Sequence, residues 1–543
     1  MTTKLNKIVI NTAVTYIRMA ITAAAGFIAV PIAIKSMGLA DYGIFSIIAG
    51  SLAFFLFVSG ALATGVERHV SYALGSGDRV EANHWMTAAI IVQGSWAAIM
   101  AVGAIIARPW ILHHGLNLPA QRAFASEAVY LIVLITMLTG VLQTPFFALV
   151  LAHEDIFIQS VANIIGTCFF LLGVFRLSHY QGDALVRYSL LYAANQVFMF
   201  LSVIVFAFLR YPESRITTLS GFGWRRVQQI ASFTLWNCFA GVAAVLRVQG
   251  PSILLNRSFG ALLNGSYGVA IQVGGSLTNL SSAVYRATFP QIVKSHAAGA
   301  YESMERIACI SCKYSCLILW IVLAPVMFNI EYLLALWLHR VPLYTPIFVI
   351  GMAIIILIDQ LTSGYQAVMQ AVGRLAAYQT TIGLLLCVGV PIAYVLLRIG
   401  YSAVAVMAAS IFATLLAGAG QLFFAQAIGK ISIGTWARTV LTPVTTAVCV
   451  GSAIAAYTRS QMSPGFVRVV VVFSESGLLS AITIALVGFS EEERSALNQV
   501  RTRFRATDQS LLVHTAGADV PGDLHNAAEF ELVDNTENRH DGR

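Results

Sequence analysis

The chain has 543 residues, of which 58% are hydrophobic and only 11% are charged, with a formal net charge of +8. Soluble domains have about 45–50% apolar and about 25% charged residues, so this composition excludes a water-soluble globular protein. The basic residues are dispersed and have no aromatic stacking platform beside them, which excludes nucleic acid as a partner and fits loops that contact anionic membrane lipids.

Apolar runs of about twenty residues recur along the chain without two-residue alternation. In hydrocarbon every backbone N–H and C=O group must bond internally, so these runs predict transmembrane helices. We predict about fourteen spans, at residues 9–34, 42–66, 86–107, 127–151, 155–176, 187–209, 228–250, 266–287, 308–330, 345–370, 376–398, 401–426, 437–457 and 467–489. The first is too long for a signal peptide, and we expect it to be retained.

A pattern at the first two spans recurs at the seventh and eighth. Lys35-Ser-Met-Gly followed by Tyr42-Gly43 matches Arg257-Ser-Phe-Gly followed by Tyr267-Gly268. Matching positions lie about 218 to 225 residues apart along the chain. Such a repeat indicates a half-protein used twice, and transporters built in this way bind their substrate between the halves.

The repeat and the spans together predict an all-α integral membrane protein with two six-helix lobes around a central cavity and two extra C-terminal helices. Lysine and arginine favour one side of the membrane by 19 to 10, which predicts that both termini are cytoplasmic. The predicted parts are an N-lobe at 1–209, a cytoplasmic linker at 210–227, a C-lobe at 228–430, extra spans at 431–489 and a tail at 490–543 with a short helix and then disorder.

Two spans carry a polar stripe on one helical face. Asn11, Thr15, Arg18 and Thr22 form the stripe of the first span, and Gln272, Ser276, Asn279 and Arg286 form that of the eighth. A polar stripe must face protein or water, so it predicts either a wet cavity or ordinary hydrogen bonding between helices. Asn11, Gln272 and Asn279 are therefore candidate substrate-binding residues.

Two arginines lie deep in predicted spans, where a charge costs at least about 2.5–3.5 kcal/mol. At 1.5 Å per residue, Arg18 lies about 25 Å from Lys35 along its helix, and Arg247 lies about 15 Å from Arg257. Gly250-Pro251 predicts a break in the helix just after Arg247. We hypothesise that Arg18 and Arg247 face one cavity and bind an anion, since the planar guanidinium fork bonds two phosphate oxygens.

Two further arginines, Arg68 and Arg286, are predicted at the inner mouth of the cavity. There they would either attract an anionic head group or extend to the phosphates of membrane lipids. Asp359 lies within the tenth span and is the candidate for ion coupling, with an internal hydrogen-bonded pair to Gln360 as the alternative. Glu475 lies outside the two predicted lobes, and we expect a structural role for it.

The remaining reactive residue types predict no metal or cofactor. Cys309, Cys312 and Cys316 share a helical face, but no nearby histidine completes a tetrahedral set, so we expect buried small apolar side chains. His113 and His114 are expected to be solvated in an outer loop. The sequence has no G-x-x-x-x-G-K-[ST] loop, G-x-S-x-G elbow or H-E-x-x-H pair, and so it predicts no enzyme of these classes.

These residues resemble the polysaccharide transporter, or oligosaccharide flippase, family of bacterial inner membranes. The family is part of the multidrug/oligosaccharidyl-lipid/polysaccharide exporter superfamily. The resemblance depends on Asn11…Tyr16-x-Arg18, Lys35-Ser-Met-Gly-Leu-Ala-Asp-Tyr-Gly-Ile-Phe45, Gly60-Ala-Leu…Arg68 and their echo at 256–286. It covers most of the first 430 residues. Asn11…Arg18 has no close copy in the second half, where Asn237 and Arg247 are spaced differently.

The resemblance implies alternating access, a cationic central cavity and an undecaprenyl-diphosphate-linked oligosaccharide as cargo, with a polysaccharide polymerase and co-polymerase as candidate partners. One alternative is a multidrug or cation antiporter of the same superfamily, which would prefer acidic residues in its lumen. The other is a membrane-embedded polysaccharide polymerase or ligase. Such enzymes usually have a large outer loop, and no predicted outer loop here exceeds about twenty residues.

Overall fold

The computed structural model of the protein describes residues 2–53, 66, 69–70, 72–74, 77–153, 155–179, 181–215, 224–373, 375–429 and 431–487. In this part of the chain the regular secondary structure is helical, and no strand occurs. Residues Met1–Thr483 cluster as one compact unit. The predicted tail at 490–543 lies outside the described residues.

Seventeen α-helices cover the described ranges, and we number them in chain order. Lobe 1 comprises α1 Thr2–Met37, α2 Leu39–Ala53, α3 Arg79–Trp110, α4 Ala123–Ala152, α5 Ile156–Phe175 and α6 Ala184–Arg210. Lobe 2 comprises α7 Trp224–Ala297, α8 Tyr301–Phe328, α9 Ile330–Leu338, α10 Thr345–Gln360, α11 Ser363–Val372, α12 Leu375–Cys387, α13 Gly389–Arg398 and α14 Val404–Ala427. The C-terminal helices are α15 Ile433–Trp436, α16 Thr442–Gln461 and α17 Phe466–Val487.

The predicted all-helical membrane fold is confirmed. Ten described helices are long and apolar enough to cross a membrane, and α10 with α11 makes an eleventh across a bend. The shorter α2 covers the first part of the second predicted span, and the long α7 contains the seventh and eighth. Where the fourteen predicted spans are described, each coincides with helix to within a few residues. The α-helical prediction succeeded because long apolar runs have no other way to bond their backbone in lipid.

The break that we predicted at Gly250-Pro251 is wrong, because α7 continues through both residues and departs from helical geometry at Gly260 instead. Gly260 has φ 82° and ψ −176°, a conformation open essentially to glycine alone. Gly38, which joins α1 to α2, has φ 88°. The two corners of the sequence repeat are thus both made by a glycine. Proline is tolerated inside membrane helices when neighbouring groups satisfy the backbone.

The two lobes pack tightly beside these corners, at the end of the bundle that we call the corner face. A Cβ atom added to Gly43 on α2 would lie 2.0 Å from the backbone oxygen of Ala261 on α7. One added to Gly265 would lie 2.4 Å from the backbone oxygen of Leu39. The Asn264 amide also donates to the Gly43 carbonyl oxygen at 3.1 Å. Absence of side chains at both glycines is what allows the two backbones to touch.

Two other described hydrogen bonds join the lobes, and both lie in the corner half of the bundle. The Trp337 indole N–H on α9 donates to the Phe27 carbonyl oxygen on α1 at 2.5 Å. The backbone N–H of Asn117 donates to Asn256 Oδ1 at 2.9 Å. These contacts close the seam between the lobes at the corner face.

An ion cluster ties three elements of lobe 1 together at the corner face. The Arg122 guanidinium bonds both Asp41, in the first turn of α2, and Asp183, whose Oδ2 lies 2.7 Å from Arg122 Nη1. Asp183 also caps α6 by accepting from the N–H groups of Leu185 and Val186. Burial raises the pKa of Asp183 and the Arg122 hydrogen bonds lower it, with a net pKa below its ordinary value.

We expect Arg122→Gln to lower the free energy of unfolding by about 1–3 kcal/mol, between the values for exposed and buried ion pairs. Because Asp183 has a lowered pKa, its contribution is fully present above an unfolded pKa of about 3.9 and is lost as pH falls through the folded pKa. Thermal unfolding in detergent between pH 3 and pH 7 measures both effects. Arg257→Gln, at the exposed corner of α7, is the control. Equal melting temperatures for the two variants would contradict the cluster's role.

Candidate functional site

The candidate site is a polar cavity of about 570 Å³ inside lobe 2. Its volume falls within the range of about 300–1,000 Å³ typical of small-ligand sites. Helices α7, α10, α11, α12 and α14 form its wall. The side chains with polar atoms in its wall are Arg247, Tyr267, Thr278, Asp359, Gln360, Ser363, Gln366, Gln370, Tyr378, Gln379, Ser410 and Gln421.

An ion pair forms part of the wall of this cavity. Arg247 Nη2 on α7 is 2.6 Å from Asp359 Oδ2 on α10 and 3.3 Å from Thr414 Oγ1 on α14. The Arg247 and Asp359 side chains are 23% and 33% exposed at the cavity wall. A pair in a cavity wall can exchange one partner for a ligand that enters the cavity, whereas opening it without a replacement would leave two uncompensated charges.

Asp359 lies at the end of α10, where the span bends by 46° into α11. The sequence predicted a single span across residues 345–370, and the bend was not predicted. A bend frees backbone N–H and C=O groups that must find other partners in lipid. It also places the Asp359 carboxylate at a helix end, in the interior of the bundle, rather than along a continuous helix.

Side chains from two neighbouring helices satisfy the freed backbone groups of the bend. The indole N–H of Trp436, on α15, donates to the Leu361 carbonyl oxygen at 2.9 Å. From α8, Cys312 Sγ accepts from the Gly364 N–H at 3.2 Å. A Cβ atom on Gly364 would lie 2.1 Å from the Ala308 carbonyl oxygen, so α8 touches the bend directly. The C-terminal helices therefore contact the span that carries Asp359.

Trp436→Phe keeps the ring but removes the donor to the Leu361 carbonyl oxygen. Leaving a buried acceptor without its partner costs about 1–3 kcal/mol, so we expect faster hydrogen exchange at residues 359–365 and a lower melting temperature. Hydrogen-exchange mass spectrometry of the protein in nanodiscs measures the first effect. Trp110→Phe is the matched control, because Trp110 is 65% exposed. Identical hydrogen exchange in the two variants would show that the Trp436 hydrogen bond does not stabilise this bend.

The structure brings only some of the predicted site residues together. Arg247 and Asp359 meet in the lobe 2 cavity, and Arg18 is not part of its wall. The Gln272 amide lies against Gly26 of α1, where a Cβ atom would be 2.4 Å from its Nε2. Asn279 is exposed on α7. Arg68, and the side chains of Asn11 and Arg286, lie outside the described residues.

The polar stripe of α1 faces its own lobe at one position, since Thr22 Oγ1 donates to Asn163 Oδ1 on α5 at 3.1 Å. Glu475 accepts from Thr458 Oγ1 at 2.7 Å between α16 and α17, which fits the structural role expected of it. Among the described residues no set of three or more histidine, cysteine or acidic side chains could hold a metal ion. Cys309, Cys312 and Cys316 are buried on α8.

Sequence reasoning missed most of the polar wall of the cavity. Gln366 and Gln370 are separated by one helical turn on α11, and this spacing is a visible signal of a polar face in an apolar segment. Gln379 and Gln421 stand alone in their spans, and only the packing of α12 and α14 brings them to the same cavity. For the nearby Asp359 the sequence predicted an ion site or an internal hydrogen-bonded pair, and not a place in a polar wall.

A second, apolar groove of about 800 Å³ lies between α1 of lobe 1 and helices α7–α10 of lobe 2. Its wall contains Phe27, Ile28, Leu277, Leu280 and Trp337, among other apolar side chains. Lys35 and His339 are its charged or titratable side chains, and Lys35 ends α1 at the corner face. The groove follows the seam between the lobes, whereas the polar cavity lies within lobe 2.

No protein-family model matches this chain, and no curated protein matches its sequence. Solved structures do match its fold. The lipid II flippase MurJ in an inward closed conformation has 11% identity and a TM-score of 0.67, covering 88% of this chain and 98% of that one. An inward-facing multidrug resistance MATE family transporter of the MOP superfamily has 12% identity and a TM-score of 0.63, covering 76% and 98%.

A third match is a MOP superfamily transporter from Pyrococcus furiosus, which is described as having a binding pocket of reverse polarity that suggests a different function. It has 11% identity and a TM-score of 0.53, and the match covers 76% of this chain and 96% of that one. The chain is therefore a multi-pass membrane protein with the fold of MOP superfamily transporters. Identities this low establish the fold, and the cargo has to be argued from the site.

Proposed function

We propose that this protein, with its MOP transporter fold, is a flippase for an undecaprenyl-diphosphate-linked oligosaccharide. It would move this lipid across the bacterial inner membrane by alternating access, for the assembly of a surface polysaccharide such as O-antigen or exopolysaccharide. The observation that carries the proposal is the partly exposed Arg247–Asp359 pair in the wall of the lobe 2 cavity. A guanidinium that is held ready by an exchangeable partner is suited to capture a phosphate.

The expected cationic cavity differs from the one in lobe 2, where the two charges of the described wall residues cancel. Anion binding by Arg247 therefore requires Asp359 to release it. A proton or cation on Asp359 would weaken the pair, and the diphosphate would take its place on the guanidinium fork. Breaking such a pair without a replacement costs about 3–5 kcal/mol, which favours release when cargo is present. Asp359 would thus couple ion binding to cargo binding.

The seam between the lobes supports alternating access. Three hydrogen bonds between the lobes lie in the corner half of the bundle. Rocking of one lobe against the other would separate α1 from α7 and uncover the Gln272 amide that now lies against Gly26. Arg18, Asn11, Gln272 and Asn279 remain proposed cargo contacts in such states, and Arg68 and Arg286 remain proposed groups of the inner mouth.

The two cavities match the two halves of the proposed cargo. A lipid-linked oligosaccharide has a polar head and a long hydrocarbon tail. The lobe 2 cavity, with its polar side chains, suits the head. The groove along the seam is apolar, so moving the hydrocarbon tail from lipid into it has no large free-energy cost. The groove runs beside α1, so a tail could stay in the membrane while the head crosses.

A cation antiporter is the second candidate, and the Asp359 carboxylate in the cavity favours it. A multidrug cation could displace Arg247 from Asp359, just as a phosphate could displace Asp359 from Arg247. A MATE family transporter is among the structures with this fold. The alternative of a polysaccharide polymerase or ligase has no such support, since the matching structures reported above are of transporters.

The test uses purified protein in liposomes that contain a fluorescent undecaprenyl-diphosphate oligosaccharide in both leaflets. We expect an outside quencher to bleach probe from both leaflets when the protein is present, and from one leaflet in empty liposomes. Transport of ethidium without any lipid flipping would identify the antiporter instead. In cells, we expect the protein at the inner membrane with both termini in the cytoplasm, and a polymerase and co-polymerase are the proposed partners.

A further inference from the structure

The wall of the lobe 2 cavity is unusually rich in one side chain. Five glutamines from four helices line it: Gln360, Gln366, Gln370, Gln379 and Gln421. Ser363, Ser410 and Thr278 add hydroxyl groups to the same wall. Each glutamine amide has two N–H donors and an oxygen with two lone pairs, so the cavity presents many donors and acceptors together.

Most of this hydrogen-bonding capacity is unused by the protein. Gln370 Oε1 accepts from the Tyr285 hydroxyl at 2.9 Å. The other four amides make no side-chain hydrogen bond to any residue that the structure describes. Gln366 and Gln370 are exposed at the cavity wall. In a membrane helix such groups need water or a ligand, because hydrocarbon cannot satisfy them.

The described wall of the cavity has two charged side chains, Arg247 and Asp359, and they pair with each other. Gln366 and Gln370 lie on α11, beyond the bend that follows Asp359. The rest of the described wall is uncharged and combines amide and hydroxyl groups with apolar side chains. Such a wall suits an uncharged ligand that carries hydroxyl groups on a carbon skeleton.

We propose that the amide-lined part of the lobe 2 cavity is a saccharide subsite, which binds the sugars next to the diphosphate held at Arg247. This inference rests on the proposed flippase function and adds the place and the chemistry of sugar recognition. Hydroxyl groups both donate and accept, as amides do, so several sugars could pair with the glutamine wall without leaving its polar groups unsatisfied. Selectivity among sugars would depend on which of their hydroxyl groups can hydrogen-bond to the glutamine amides.

The double variant Gln366→Met/Gln379→Met tests the subsite while nearly preserving side-chain volume. The probes are three undecaprenyl-diphosphate oligosaccharides with different neutral sugars, and undecaprenyl diphosphate without sugar. Dissociation constants are measured on protein in nanodiscs. We expect the wild type to prefer at least one glycosylated lipid by about 25-fold or more. In the double variant we expect each substitution to reduce this preference about fivefold, which is the effect of losing one neutral hydrogen bond. The affinity for the sugar-free lipid should not change.

Gln461→Met is the control, because Gln461 lies at the end of α16 and outside the cavity. A wild type that binds all four lipids equally would overturn the subsite, and so would a double variant that keeps the full preference for sugar. Equal loss of affinity for every lipid would place the effect at the diphosphate or on folding, and would also overturn it. These outcomes differ from failure of the proposed function, in which the wild type neither binds nor flips any undecaprenyl lipid. The single variant Gln421→Met repeats the comparison if the double variant folds poorly.

Discussion

Arg247→Ala is expected to reduce flipping of the lipid-linked oligosaccharide by at least about 100-fold. The guanidinium would make two charge-assisted hydrogen bonds to the diphosphate, each contributing about 1.5–3 kcal/mol, and 1.4 kcal/mol corresponds to a factor of ten. Arg247→Lys should lose less, because it keeps the charge but replaces the planar fork with a single point of contact. The liposome assay with a fluorescent lipid-linked oligosaccharide measures both variants.

The control for these variants is Arg398→Ala. Arg398 is exposed at the end of α13, and its described partner is the Tyr394 hydroxyl at 3.0 Å. We expect this variant to insert and to flip lipid at the wild-type rate. An Arg247→Ala protein that inserts normally and flips lipid within about threefold of wild type would exclude Arg247 from cargo binding.

Gly43→Ala is expected to have the largest effect on conformation. The new Cβ would lie 2.0 Å from the Ala261 carbonyl oxygen and 2.8 Å from the Gly265 nitrogen, so α2 and α7 must separate. Overpacking of this kind costs about 1–3 kcal/mol, which shifts a two-state equilibrium by about 5–150-fold. The cost applies only to the state in which the corner face is closed, so we expect a corner-open state to gain population.

Spin labels at Lys35→Cys and Leu343→Cys report the opening, since both positions are exposed near the corner face, in lobes 1 and 2 respectively. The exposed Cys168 and Cys449 are first replaced by serine. We expect longer label distances in the Gly43→Ala protein. Gly103→Ala is the control, because nothing lies within 4 Å of the position its Cβ would take. Unchanged distances in Gly43→Ala would show that this contact does not hold the corner face closed.

The fold was largely predictable because each span is encoded locally. A run of apolar residues long enough to cross lipid must be a helix, whatever its neighbours are. The repeat was also readable, and the positive φ angles of Gly38 and Gly260 explain why both corners need glycine. The misplaced break shows the limit of local rules. Pro251 stays inside α7, whereas Gly260, which we had matched only to a corner, makes the bend.

The sequence allowed single residues of the site to be predicted, but not how they come together. Arg247 and Asp359 were each identified because a charge in a span needs an explanation. Their pairing was not foreseen, since the two residues lie 112 positions apart and nothing in either helix indicates the other. The same holds for the glutamine wall, which four helices bring together. Trp436 belongs to the C-terminal helices, and its indole N–H bonds the Leu361 carbonyl oxygen at the bend. The sequence pattern did not indicate this contact, because it depends on how the helices pack.

The most direct test of the exchange between Asp359 and cargo is the affinity of Asp359→Asn for an undecaprenyl-diphosphate oligosaccharide. Asparagine keeps the shape of the side chain but removes the charge that competes for Arg247. We predict binding about tenfold tighter than in the wild type, together with loss of flipping, since the guanidinium is freed but ion coupling is lost. Equal or weaker binding by Asp359→Asn would contradict the account, because it would make Asp359 a structural partner of Arg247 rather than its competitor for cargo.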